Sequence, residues 1–414
     1  MDLNFLKLDT ESSSPLWIFP QQNANSVAFG VLIFAGTRDE IWPKEAGIAH
    51  ALEHMHFQGT EKFPSSVKVS SYIEDVGGRV NAYTSKEMTF YHLHLPVEYA
   101  KRGVEILSQQ IQASIFPEEK IGTEMNNIIQ EIRRRNDIPR SHVFALHNEL
   151  IYGKHPLGRD TLGTEESVAN FGRGDFFSFK ERYYNSSNMV FLAAGNIGDI
   201  EAVDLFDEFF PFVPGEKNER KIEEGSGFSA RSQIEKRDIT QVHLVMSAVI
   251  ESAALVDSSA LELFNYMVSG GMSFPLFQEV RDKRGLCYEI NAGLAKWSDF
   301  SNFNIYVGTD PNRYNEAIKA TLDVLEDSKS DTALLERAKA LRIGRMALNF
   351  ENMLNVIDIA ANDITFLGAP RGYEQVTSEI EKVTIDDVEK SVSNYLSNDR
   401  ISTTMLVPQG LEKY

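Results

Sequence analysis

The order of elements in this chain is written twice. Asn81-Ala82 leads into a strand-like run ending Phe90-Tyr91-His92-Leu93-His94-Leu95-Pro96 and then an amphipathic run from Glu98 to Gln112. The succession returns as Asn291-Ala292, Phe303 to Val307 and the helical run Tyr314 to Asp327, with the leading pair 210 residues further on. Thr164-Glu165-Glu166, a helix up to Tyr184 and a strand Met189 to Ala193 have partners in Thr377-Ser378-Glu379, a helix to Tyr395 and a strand Ile401 to Val407, 213 residues on. Such a duplication restricts the chain to two domains of one topology. The length of 414 residues agrees, because single cores stop growing near about 250–300 residues.

Each half starts with a strand (Val27 to Phe34; Gln241 to Val249) and enters a helix (Ala46 to Gln58; Ser258 to Val268). A β-rich stretch, further helices and a last strand follow. This mixture predicts an α+β fold: two homologous α/β-sandwich domains, each a mostly antiparallel sheet with helices on one face. Between the halves, Pro214 to Asp238 is polar and carries Gly215, Gly225 and Gly227, the composition of a linker. The domains are therefore drawn at residues 1–215 and 239–414, joined by a linker at 216–238.

Composition narrows the function classes. A formal net charge of −19 disfavours nucleic acid or an anionic membrane as the main partner and suits neutral or basic peptides. No run reaches the roughly 18 apolar residues of a membrane span, and Met1-Asp2-Leu3-Asn4-Phe5-Leu6 lacks the features of a secretory signal. Cys287 is the one cysteine, so no internal disulfide forms and a cytoplasmic location is expected.

Chemistry concentrates at His50-Ala51-Leu52-Glu53-His54. On a helix, residues three and four apart share a face, so His50, Glu53 and His54 project together. The pattern is H-x-x-E-H, the inverted form of the zincin signature. The duplication supplies a control, because 209 residues later stands Ser259-Ala260-Leu261-Glu262-Leu263. The apolar skeleton survives there without either histidine. One half looks catalytic and the other structural, since leucine fills a helix face without the desolvation cost of a buried histidine.

A catalytic zinc needs about three protein ligands and an open position for water. The run Ile121 to Arg135 reads as a helix with Ile121, Met125, Ile128, Ile129 and Ile132 apolar, and Glu124 and Glu131, seven apart, lie beside that stripe. Glu131 is the candidate third ligand. Glu124 is placed to orient a histidine or share the site. Both glutamates would serve equally well on a solvated face paired with Arg133 to Arg135. With metal present, Glu53 is placed to take the proton of a water attacking a carbonyl, and peptide-bond hydrolysis is the implied reaction.

At this point the chain resembles a known family, the inverzincin group of pitrilysin, insulin-degrading enzyme and mitochondrial processing peptidase. The resemblance runs through Gly47 to His54, Gly77-Gly78-Arg79-Val80-Asn81-Ala82-Tyr83-Thr84, Glu124 to Ile132, His155-Pro156-Leu157-Gly158-Arg159, Tyr184 to Asn196 and Phe277 to Leu286. It implies His50, His54 and Glu131 as ligands of one Zn2+ per chain, Glu53 as general base and Glu124 as an assisting carboxylate. It also implies that Asn81 and Ala82 lie on an edge strand where substrate is held extended, as in strand addition, and that Arg281 and Tyr288 donate to the substrate carbonyl. The chain's length matches the two-domain branch, in which two chains face each other as a clamshell around a chamber. The expected activity is therefore a zinc metalloendopeptidase acting on unfolded peptides or presequence-like segments as a homodimer. The alternatives are a subunit of a heteromer with an inactive homologue and a non-catalytic peptide-binding scaffold.

Other histidines invite a bland assignment. His56 falls off the His50/His54 face and is expected to pack or be exposed. His92 and His94 alternate along a strand with no acidic partner in view and are read as structural. His142 and His147 are not four apart, and His155, before Pro156, is expected to pack or cap.

Overall fold

The computed structural model describes residues 4–220, 229–251 and 255–411. The first six-stranded sheet contains β1 (Leu6–Leu8), β2 (Leu16–Pro20), β3 (Ser26–Ile33), β4 (Arg79–Thr84), β5 (Thr89–Pro96) and β6 (Met189–Gly195), in the order β1-β2-β6-β3-β5-β4. The second contains β7 (Ser232–Arg237), β8 (Val242–Glu251), β9 (Cys287–Lys296), β10 (Phe300–Thr309) and β11 (Ser402–Pro408), in the order β7-β11-β8-β10-β9. Without β1 the two orders are the same strand for strand. In both, the parallel pair joins an early strand to the last one, β2 with β6 and β7 with β11, and the remaining neighbours are antiparallel. The repeat is thus a repeat of topology, and the α+β layering holds.

Strand β7 lies in what the composition suggested was linker. Its sequence Ser-Gln-Ile-Glu-Lys-Arg alternates between exposed and half-buried positions, and a polar strand at a sheet edge leaves no hydrophobic signature. Residues 221–228 of the expected linker lie outside the described residues.

Period-two alternation decides what each sheet face carries. On β3, Val27, Phe29, Val31 and Ile33 join a core with Ile48, Leu52 and Met55 of the helix Ile48–Met55 and with Leu107 of the helix Ala100–Gln112. The opposite face meets a helix from the other half of the sequence. A Cβ at Gly30 would stand 2.5 Å from the Phe90 ring and 3.5 Å from Ile357, a residue of the helix Met353–Leu367. The reciprocal exchange occurs on the second sheet, where Val143 of the helix Pro139–Tyr152 packs with Val245, Tyr306 and Leu406. The two compact units are accordingly discontinuous in sequence. One comprises residues 1–134, 159–220 and 348–374, and the other 135–158, 221–347 and 375–414. Helices of the same half cover one face, as expected, and an exchanged helix covers the other. Periodicity reveals an apolar stripe on a helix, not the sheet that will bury it.

His147 fastens the exchanged helix to the second sheet. Its Nδ1 lies 2.9 Å from Thr404 Oγ1 on β11 and its Nε2 2.6 Å from Ser247 Oγ on β8. Burial pushes its pKa down to about 4 from the ordinary 6.5. The folded state therefore holds fewer protons on this group than the unfolded chain between those values, and stability rises with pH across that window. Urea titrations should show His147 contributing full stability above pH 6.5 and losing about 3 kcal/mol by pH 4. The loss should be read as the slope that disappears in His147→Gln; equal slopes in the two proteins would refute it.

Candidate metal and hydrolytic centre

The helix Ile48–Met55 is held at its start. Gly47, at its start, has φ 87°, and a Cβ there would lie 2.6 Å from the Leu162 carbonyl oxygen, so glycine is required. The N–H groups of Gly47 and Ala49 donate to the Glu40 carboxylate at 3.0 and 3.1 Å. Burial raises the Glu40 pKa well above the usual carboxylate value, against the opposing pull of those two amides, Lys86 and Arg159.

One turn further on, His50 and His54 lie side by side with ring centroids 4.6 Å apart. His50 Nε2 is 3.9 Å from Glu131 Oε2 and His54 Nδ1 is 3.6 Å from Glu124 Oε2. Both glutamates come from the helix Glu118–Asp137. Arg133, which follows them on the same helix, binds Glu165 at 2.6 Å. One ligand atom each from His50, His54 and Glu131 lies within 4.8 Å of the others. Tetrahedral coordination at bonds of about 2 Å separates ligand atoms by roughly 3.3 Å, so small side-chain rotations close the triangle.

The chemistry of the donors fits a zinc ion. His50 Nδ1 is buried with no hydrogen-bond partner among the described residues, an unusual state for a buried nitrogen. Burial, and then the neighbouring His54, push the His50 pKa down to about 3. The ring is therefore neutral at pH 7 and its lone pair is available. Two neutral imidazoles and a carboxylate form a common zinc donor set. Glu53, 9% exposed, sits between the histidines in sequence and receives a hydrogen bond of 2.6 Å from Thr84 Oγ1. Burial raises its pKa against the effects of Thr84 and His54, and Glu131 raises it further.

Two features around this centre escape sequence inspection. His56 is fully buried, and its Nδ1 lies 2.6 Å from Tyr91 Oη, which lies 2.9 Å from Tyr184 Oη. The packed alternative for His56 is the one realised. Thr84 is the second, because a hydroxyl on a strand gives no motif by itself. The remaining histidines are structural: His94 Nε2 lies 2.8 Å from Ser26 Oγ, His142 Nε2 lies 3.0 Å from Glu235, and His155 Nδ1 caps the Leu157 N–H at 3.1 Å. His92 is stacked on Phe90.

Asn81 and Ala82 lie on β4, an edge of the first sheet. The Ala82 N–H donates to Asn81 Oδ1 at 3.0 Å. Their counterparts on β9 are also at an edge, but there the Ala292 N–H donates to Ser269 Oγ at 3.0 Å. Arg281 and Tyr288 belong to the second unit. A π-helical segment, Leu276–Lys283, carries Arg281 with its guanidinium 4.6 Å from the Phe277 ring centroid and 5.6 Å from that of Tyr288, and Tyr288 is 72% exposed. The pair predicted from sequence is thus adjacent.

The duplicated fold and the helix-borne H-x-x-E-H set define the class of inverted-zincin metallopeptidases. The family profile described as Insulinase (Peptidase family M16) matches residues 18–165, and the profile described as Peptidase M16 inactive domain matches residues 170–342. An uncharacterized zinc protease of Bacillus subtilis is 29% identical over 93% of this chain and 94% of its own. Another from Rickettsia bellii is 32% identical over 69% of this chain and 68% of its own. In fold, a protease from Helicobacter pylori superposes with a TM-score of 0.89 at 20% identity, covering 99% of this chain and 100% of its own. The chain belongs to peptidase family M16.

In the second half the helix Leu255–Ser269 carries Ser259 and Leu263 where the first half has histidines. Glu262, at the place of Glu53, is bound by Lys296 Nζ at 2.6 Å and Arg342 Nε at 2.9 Å. Burial pushes its carboxyl up, but the two cations outweigh this and hold the pKa at about 2. The stabilisation is complete above about pH 4.5 and fades as pH falls toward 2. Glu262→Gln should lower stability at pH 7 by about 2 kcal/mol, because it leaves two cations facing each other. Equilibrium unfolding in urea checks this, and an unchanged midpoint would contradict it.

Proposed function

We propose that this protein is a zinc-dependent endopeptidase. The observation that carries the proposal is the convergence of His50, His54 and Glu131 on one point, beside the buried carboxylate of Glu53. His50, His54 and Glu131 would hold one zinc ion per chain. When bound, zinc supplies a Lewis acid for the scissile carbonyl and makes water a nucleophile near neutral pH. Glu53 takes the proton of the attacking water and returns it to the leaving amine. Glu124, 3.6 Å from His54 Nδ1, orients that ring. The edge strand β4 holds an extended peptide by main-chain hydrogen bonds, with Asn81 and Ala82 at its centre. Arg281 and Tyr288 donate to the substrate carbonyl as charge develops on its oxygen.

Main-chain recognition implies unfolded peptides or presequence-like segments as substrates, and the net charge of −19 favours neutral or basic ones. The working form is a homodimeric clamshell in which Arg281 and Tyr288 of one chain serve the zinc centre of the other. A heteromer with an inactive homologue, or a peptide-binding scaffold, would differ in the outcomes below.

Purified protein should contain about one zinc per chain and cleave a quenched peptide library, and a chelator should abolish cleavage. Glu53→Gln should keep its zinc and lose about 10²–10⁴-fold in kcat/KM, whereas His50→Ala should lose the metal. Zinc-loaded wild-type protein that cleaves nothing, with Glu53→Gln indistinguishable from it, would overturn the peptidase assignment. Mixing Arg281→Ala with His50→Ala chains should restore part of the activity. A verified mixed dimer without restoration would exclude action across the dimer.

A further inference from the structure

Thr84 is placed to do more than fill a strand. Its hydroxyl donates to Glu53 Oε2 at 2.6 Å, and Glu53 Oε1 receives no hydrogen bond from the described residues. We propose that Thr84 is a positioning residue for the general base, fixing one carboxylate oxygen so that the other is presented to the attacking water. The proposal rests on the peptidase assignment above and adds a residue to it.

Three observations support it independently of any motif. First, the strand holds the hydroxyl in place. Thr84 is in register with Thr89 on β5, whose own Oγ1 donates to the Ala35 carbonyl oxygen at 2.9 Å, and a β-branched residue on a paired strand has few χ1 options. Second, alternation puts Thr84 on the same face as Ala82, which packs into the core with Leu52 and Met55 of the metal-ligand helix. Asn81 and Tyr83 point the other way; Tyr83 Oη donates to Asp358 at 2.8 Å. Third, the duplication provides a comparison. At the 210-residue offset that aligns Asn81-Ala82 with Asn291-Ala292, Thr84 corresponds to Leu294. There the matching carboxylate, Glu262, is held by Lys296 and Arg342 instead. The hydroxyl occurs in the half with the histidines, and the cations occur in the half without them.

This contrast has a chemical rationale. A cation beside a carboxylate fixes it but also stabilises its charge, which weakens it as a base. A neutral hydroxyl fixes the geometry without adding a charge beside the reaction. Because Thr84 is on the edge strand proposed to take substrate, the strand that aligns the peptide also aligns the base.

The test uses the full-length zinc-loaded protein and the variants Thr84→Val and Thr84→Ser. Valine keeps the shape of threonine and removes the donor, so kcat should fall by roughly tenfold or more while KM changes by less than about twofold. Zinc content and thermal midpoint should stay at wild-type values in Thr84→Val, and its crystal structure should show the Glu53 carboxylate rotated. Thr84→Ser, which keeps the donor, should recover most of kcat. Wild-type kcat in Thr84→Val, or a loss that Thr84→Ser shares in full, overturns the assignment while leaving the peptidase intact. So does a Thr84→Val protein whose zinc content or midpoint falls in step with kcat. A zinc-loaded wild-type protein that cleaves no peptide overturns the peptidase assignment and this one with it.

Discussion

The centre depends on one buried carboxylate that takes no part in its chemistry. Glu40, 4% exposed, accepts from the first amides of the helix Ile48–Met55. Removing a carboxylate from water costs several kcal/mol, and the helix N-terminus offsets part of that cost with its unsatisfied N–H groups and its dipole. The exchange fixes where the helix starts, and so which turn presents His50 and His54. Gly47, confined by the Leu162 carbonyl, makes the same choice sterically. With that helix set, its apolar side meets β3 while its polar side meets the helix Glu118–Asp137.

The two halves give two answers to one electrostatic problem. A carboxylate on the inner side of the first helix of each half needs compensation for lost water. In the second half Lys296 and Arg342 provide it permanently, and Glu262 becomes a structural tie. In the first half, among the described residues, no basic side chain closes on Glu53; a hydroxyl touches it and the two imidazoles neighbour it on the helix. The first arrangement is stable and inert. The second leaves a need for positive charge that a divalent cation would meet, and that difference separates the two domains more sharply than their shared topology suggests.

Much of this was legible in the sequence because it is periodic or local. The repeat anticipated matching sheets, and the strand orders agree pair by pair. The i, i+4 spacing brought His50 and His54 together, and seven-residue spacing on an amphipathic helix brought Glu124 and Glu131 to them. What stayed hidden depends on distant contacts. Strand β7 is polar and pairs with a strand about 170 residues away. Glu40, Thr84 and Tyr91 are ordinary residues until folding sets them against helix amides, Glu53 and His56. The exchanged helices were visible as helices, but their stripes name no partner sheet.

That exchange has a consequence for how the chain can be divided. A fragment ending between the sequence halves would keep β3 and β5 but lack Ile357 and its helix, leaving the Gly30–Phe90 surface bare. It would also carry the helix Pro139–Tyr152, whose Val143 and His147 have their partners on β8, β10 and β11. Each fragment would thus have one sticky sheet face and one stray amphipathic helix, the ingredients of aggregation rather than of a free-standing domain. The duplication is plain to read, yet neither copy stands as a self-sufficient module, and engineering that treats the halves as interchangeable cassettes would have to move three segments per unit rather than one.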